Sequence, residues 1–194
     1  FKYSGDHIAV FANAFYMQLD NIAYQDIQAG GLAERKFADV KNLGLELETI
    51  FNYGNFDLAF NGTLQNPEYA DFEGSQESNN GNIARRISNF YFNVRPSYNF
   101  TKAFNLYAKY SYFGSKFQDI ENTFEIPSFG VVNAGASYSL DNIRFGLDAS
   151  NLFNTIALTE ADGIAAGGVP ANGQTFMGRS ILGRAVKLSI AINF

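Results

Sequence analysis

Cysteine and tryptophan are absent from this 194-residue chain, histidine occurs once, and only 17% of its residues are charged. Without cysteine there is no disulfide framework and no thiolate metal site. His7 has neither a second histidine nor a cysteine to join it, so it reads as a residue flanking a turn and not as a metal ligand. The net charge of −5 without basic clusters argues against nucleic acid as a partner. No apolar run approaches the roughly 18 to 20 residues that a membrane-spanning helix needs. The start, "FKYSGDHIAV", lacks the basic residues, apolar run and small-residue cleavage site of a signal peptide. The chain is then either cytosolic or has lost an N-terminal part.

What the sequence does have is aromatics, 20 Phe and 11 Tyr, and a period of two. Eight segments alternate, as half-buried strands do. In "NLGLELETIFNY" Leu43, Leu45, Leu47, Thr49, Phe51 and Tyr53 form one face, and Asn42, Gly44, Glu46, Glu48, Ile50 and Asn52 the other. The stretches from Phe56, Phe90, Phe104, Val132, Ile143 and Val186 repeat this, with Phe, Leu, Ile and Tyr opposite Asn, Ser, Gly and charged residues. Only "IAVFANAFYM" (8–17) is apolar on both faces, which leaves its orientation open.

Connections alternate as well. Short ones lie at 3–6, 53–55, 99–102 and 139–142; long ones, rich in Gly, Asn, Asp and Glu, lie at about 22–36, 66–86, 117–127 and 157–179. Tight turns at one end of a strand set and long loops at the other describe an all-β, antiparallel transmembrane β-barrel. Its strands need about 9 to 11 residues to cross when tilted. Tyr53, Tyr98 and Phe104 stand beside the short turns, where an interfacial aromatic girdle belongs. On this reading the Phe and Leu rows meet lipid, while Glu46, Glu48, Arg95, Lys109, Arg144, Asp148 and Lys187 face the lumen. A soluble β-sandwich, with the same rows packed against each other, is the alternative.

The last strand places Leu188, Ile190, Ile192 and Phe194 on one side. Arg184 shares that parity ten residues earlier, about 25 Å up the wall, at the level of the outer headgroups. An alternating terminal strand closed by Phe resembles the insertion signal of bacterial outer-membrane proteins. "NLFN" (151–154) followed by this strand resembles the C-terminal signature of TonB-dependent receptors, and "NLGLELE" (42–48) resembles their G-x-E-x-E strand, carried by Gly44, Glu46 and Glu48.

The resemblance implies an N-terminal plug inside a 22-stranded barrel. "FKY" (1–3) reads as the stump of an earlier strand, so residues 1–194 are expected to be about the last eight strands of such a barrel, with plug and earlier strands elsewhere. A stand-alone eight-stranded barrel with a structural or adhesive role is the other membrane alternative. What the resemblance implies is transport and not catalysis, in the bacterial outer membrane, with no cofactor. Its implied partners are outer-membrane lipid and lipopolysaccharide, the receptor's own plug, TonB, the barrel-assembly machinery and an imported ligand. Iron–siderophore is the first candidate for that ligand, with an oligosaccharide or cobalamin behind it.

The expected ligand contacts are the aromatics of the long loops, Tyr69, Phe72, Phe117, Phe124 and Phe176. Paired carboxylates can do acid–base work, but on a luminal face Glu46 and Glu48 are expected instead to pair with Arg or Lys of neighbouring strands or of the plug. Arg85 and Arg86 are candidates for lipopolysaccharide phosphates. Glu68, Asp71, Glu73 and Glu77 match no calcium-loop spacing and read as a solvated loop.

Overall fold

The computed structural model describes residues 1–27, 33–163 and 176–193. Thirteen strands follow in chain order: β1 (Lys2–Ser4), β2 (Ile8–Ile27), β3 (Ala33–Tyr53), β4 (Phe56–Ala70), β5 (Phe90–Asn99), β6 (Phe104–Phe113), β7 (Lys116–Phe117), β8 (Glu125–Ile126), β9 (Phe129–Leu140), β10 (Ile143–Ser150), β11 (Leu158–Gly163), β12 (Phe176–Ser180) and β13 (Ala185–Ile192). Nine of them form one antiparallel sheet in the order β1-β2-β3-β4-β5-β6-β9-β10-β13, each strand beside its predecessor in the wall. The eight alternating segments and the N-terminal stump account for all nine. The other four strands make two small hairpins, β7–β8 and β11–β12, inside the long connections. No helix of the described residues is long and apolar enough to cross a membrane.

Register separates the two faces. Tyr53, Phe56, Tyr98, Leu106, Ala136, Leu147 and Leu188 stand side by side across seven strands. One residue along, Asn52, Asp57, Ser97, Tyr107, Gly135, Asp148 and Lys187 form the neighbouring row. Because side chains alternate at every step, the first row belongs to an apolar face and the second to a polar one. The apolar rows have no second layer over them: Leu188 is 80% and Ile190 67% exposed. Among the described residues these rows form no dry centre of a β-sandwich.

Tight turns gather at one end. Gly54, with φ +58°, and Asp141, with φ +49°, supply the left-handed residues that short hairpins require. Between β5 and β6, Thr101 Oγ1 accepts from the backbone N–H groups of Ala103 and Phe104, at 3.1 and 3.0 Å.

At the other end the main sheet itself extends into two of the expected loops. β2 and β3 run to Ile27 and from Ala33, well into 22–36, and β4 runs to Ala70. The ladder continues there while the outward residues turn polar. Lys41 stands opposite Glu68, Leu43 opposite Asn66, and Lys41 reaches Asp71 at 3.5 Å. Alternation therefore ends where the apolar band ends, ten residues above Tyr53, although pairing does not.

Strand β2 also resolves. Odd-numbered residues as far as Leu19 share the polar face, since Asn13 lies opposite Glu46 and Phe15 opposite Gly44. A bulge at Asp20 and Asn21 then shifts the parity. Asn21 takes φ +59°, and its N–H donates to Asp39 Oδ1 at 2.9 Å. Beyond the bulge Ile22 and Tyr24 are the residues that face inward, opposite Ala38 and Lys36.

Candidate functional site: the inner face and loop end

Asparagine, serine and charged residues dominate the inner face, and they bond to one another along it. Asn93 Nδ2 donates to Asn61 at 3.0 Å, and the Ser111 hydroxyl donates to Asn93 at 2.6 Å. Near the tight turns Asn52 and Asn99 both donate to the Asp57 carboxylate, at 2.5 and 3.3 Å. Of the expected lumen charges, Arg95 and Asp148 are brought together through Tyr107. The Arg95 guanidinium lies 5.0 Å over the Tyr107 ring, whose hydroxyl donates to Asp148. Lys187 stands opposite Asp148 in register and Lys109 opposite Asn133, while Arg144 donates to the Ser137 hydroxyl at 3.2 Å.

Glu46 and Glu48 share this face, but no basic side chain of a neighbouring strand meets them. Glu46 accepts only a 3.3 Å bond from Asn13, and among the described residues neither carboxylate forms an ion pair. The strands beside them supply Asn13, Phe11, Asn61 and Thr63, none of which carries a positive charge. The expected pairing within the sheet is thus replaced by two open carboxylates.

The loop end has a dry core of its own. Tyr24, Ala38 and Val40 of the extended β2–β3 ladder pack with Tyr69, Phe72 and Ala84. Phe72 meets the rings of Tyr24 and Tyr69 edge-on, at 4.7 and 5.1 Å between centroids. Tyr69 is 7% and Phe72 3% exposed. These two expected ligand contacts are thus packed into the core of the loop end. Phe117 and Phe124 are half-buried, on β7 and just before β8. The side chain of Phe176 and the whole of Phe194 lie outside the described residues. Arg85 and Arg86 are exposed, as are Glu73 and Glu77.

Side-chain bonds tie the loops together. Asn122 exchanges bonds with the backbone of Ile83 at 2.8 and 2.9 Å, and Asn82 donates to the Ile120 carbonyl at 2.9 Å. The Asp119 carboxylate accepts from Thr123 N–H, Thr123 Oγ1 and Phe124 N–H, which folds the β7–β8 turn. At the base of the last loop Asn151, 3% exposed and at φ +47°, reaches both roots. Its Nδ2 donates to the carbonyls of Thr155 and Leu182, its Oδ1 accepts from Thr155 N–H, and its own N–H donates to Asn133 Oδ1. The first residue of the "NLFN" run is therefore the clamp of the final loop.

Beneath the β11–β12 hairpin, on the inner side, lies a cavity of about 380 Å³. Phe113, Phe129 and Val131 form its wall, with Thr159 and Ile181 from the last loop across from them. Lys116 reaches into it from β7. Burial holds the Lys116 ammonium below the usual lysine range; Glu160 pulls it back up and Arg86 pushes it further down. Glu160 is itself bridged to Arg179 at 3.1 Å. Sequence reasoning missed this cavity, because its residues come from five separated segments with no local spacing to mark them.

An apolar outer face, a polar inner face and a folded loop end form a segment of barrel wall, and known proteins agree. The family described as TonB dependent receptor-like, beta-barrel, matches residues 1–152. Among solved structures, the chain is similar to the siderophore receptor PiuA from Acinetobacter baumannii, at 18% identity and TM-score 0.75, covering 98% of this chain and 26% of that one. It is similar to the ferric yersiniabactin uptake receptor FyuA from Yersinia pestis, at 15% identity and TM-score 0.78, covering 100% and 28%. It is also similar to the copper transporter OprC, at 14% identity and TM-score 0.73, covering 100% and 30%. The chain thus spans less than a third of the length of these structures, and its sheet is a partial barrel. With a family match over most of its length and the fold of receptor barrels throughout, the chain belongs to the TonB dependent receptor-like β-barrel family, whose members are outer-membrane proteins.

Proposed function

We propose that this chain is the C-terminal wall of an outer-membrane, TonB-dependent importer whose cargo is a scarce nutrient complex, with iron–siderophore as the first to test. One observation carries this reading: the sheet keeps an uncovered apolar face, a hydrogen-bonded polar face and a structured loop end in one register. A wall with lipid outside, a plug inside and ligand above needs those three surfaces. The named cargoes of the similar structures include both siderophores and copper, so the wall by itself does not choose between complexes.

On this reading the open carboxylates Glu46 and Glu48 receive basic side chains of the plug in a barrel of about 22 strands. TonB supplies the energy for plug movement, Arg85 and Arg86 meet lipopolysaccharide phosphates, and the assembly machinery engages Leu188, Ile190, Ile192 and Phe194. The deciding experiment uses the full-length gene in its own host. Deletion should abolish uptake of a radioiron-loaded siderophore, and complementation should restore it only when TonB is present. Normal uptake in the deletion strain, for iron–siderophore and for cobalamin and oligosaccharide alike, would remove the importer reading. Loss of Phe194 should slow assembly and lower surface levels of the receptor; unchanged levels would remove the role of the terminal strand as a signal.

A further inference from the structure

The cavity under the β11–β12 hairpin has a one-sided chemistry. The Ser88 hydroxyl donates to Gly114 O at 2.8 Å, that of Ser111 to Asn93 Oδ1 at 2.6 Å, and that of Thr159 to Arg179 O at 3.1 Å. Three of its polar groups have thus committed their protons elsewhere. Two have not. Lys116 makes no hydrogen bond or ion pair among the described residues. The Asn133 amide is oriented by the Asn151 N–H, which donates to its Oδ1 at 2.9 Å and leaves Nδ2 without a partner among the described residues.

Among the described residues no carboxylate lines the cavity. Glu160, whose charge acts on Lys116, is held by Arg179 at 3.1 Å. The remaining surface is apolar, and Phe113 and Phe129 are stacked on each other at 5.0 Å. A half-buried ammonium with unused donors attracts an oxyanion, and charge-assisted bonds to it are the strong kind. Apolar walls ask that the oxyanion be attached to an apolar body. At about 380 Å³ the space lies near the lower limit of roughly 300 Å³ for small-molecule sites. It suits one ring with its substituents and not a whole metal complex.

We infer that this cavity is an oxyanion subsite, in which Lys116 and Asn133 Nδ2 bind a carboxylate or phenolate carried on an aromatic ring that packs against Phe113 and Phe129. The inference rests on the importer reading, and it adds to it the chemical class of one cargo group.

The test uses the full-length receptor in detergent, with 2,3-dihydroxybenzoate as the anionic probe and benzyl alcohol as its neutral counterpart. Binding is followed by titration calorimetry or ligand-observed NMR, and the folded fraction by heat-modifiable gel mobility. The wild type should prefer the anion by about tenfold or more. Lys116→Met should lose that preference, Lys116→Arg should keep it, and Lys102→Met, at the tight-turn end, should behave as wild type. Wild-type binding should also weaken earlier on the alkaline side than that of Lys116→Arg, because arginine keeps its charge. No anion preference in the wild type, or an unchanged preference in a folded Lys116→Met, would overturn the subsite. The uptake experiment is scored separately: a wild type without anion preference but with intact uptake removes only the subsite, and a wild type with anion preference but without uptake removes only the importer.

Discussion

Tyr107 lies flat across Gly135: a Cβ built on that glycine would come within 2.6 Å of the tyrosine ring. The missing side chain lets Tyr107 of β6 cross over β9 and donate its hydroxyl to Asp148 of β10. The same device recurs where Phe15 covers Gly44 and Tyr110 covers Gly130. Aromatic cover of strand glycines protects the backbone and fixes register.

Gly135→Val should therefore push the ring aside and break the link to Asp148. Overpacking of this kind costs about 1 to 3 kcal/mol, measurable by urea unfolding of the receptor refolded into lipid vesicles. Tyr107→Phe, which keeps the ring over Gly135, should cost about 1 kcal/mol. Equal stability of Gly135→Val and wild type would show that the ring does not depend on the glycine.

Neighbours on β13 test which solvent each face meets. Ile190 shares its face with Phe145, and Ser189 lies opposite Gly146. Ile190→Arg should cost about 2 to 4 kcal/mol in a lipid refolding titration, as a midplane arginine on the lipid face does. Ser189→Arg should cost clearly less. Equal penalties would mean that the faces have been assigned the wrong way round.

The clamp at Asn151 gives a local prediction. Asn151→Ala strands the Thr155 N–H and the carbonyls of Thr155 and Leu182. Buried groups left unbonded cost about 1 to 3 kcal/mol. The last loop should then be cut faster between Thr155 and Leu182 in limited proteolysis, while the global unfolding midpoint moves little. Unchanged cleavage would show that the loop roots are held by other contacts.

A final prediction concerns the two open carboxylates. Should the plug dock on Glu46 and Glu48, replacing both with Gln would weaken its seat by about 1.5 to 3 kcal/mol per lost charged hydrogen bond. The full-length double variant should release its plug at lower denaturant than wild type while barrel unfolding stays in place. Coincident plug transitions in the two proteins would assign the pair another role.

The apolar band of this fold was open to reading from residue types alone, because apolar residues recur at every second position from Leu43 to Tyr53, Thr49 excepted, and from Val186 to Ile192. Strand β2 defied that reading for a specific reason. Phe11 and Phe15 sit on the polar face, one beneath the Lys2 ammonium at 5.3 Å and the other over Gly44, so both faces read as apolar. Above the band the outward row turns largely polar, with Lys41, Asp39, Asn66 and Glu68, and strand became indistinguishable from loop. The loop core escaped because Tyr24 joins Tyr69 and Phe72 only after the bulge turns it inward. The cavity escaped because Lys116, Asn133 and Ile181 meet only through the fold.

That bulge at Asp20 and Asn21 has a practical consequence for anyone aligning or redesigning this wall. A one-residue insertion or deletion between Leu19 and Ile22 would rotate the whole upper arm of the hairpin by half a pleat, turning Tyr24 out of its interior. The lower wall would stay untouched. Any loop grafted above the bulge would have to arrive in the same phase to keep Tyr24 inward.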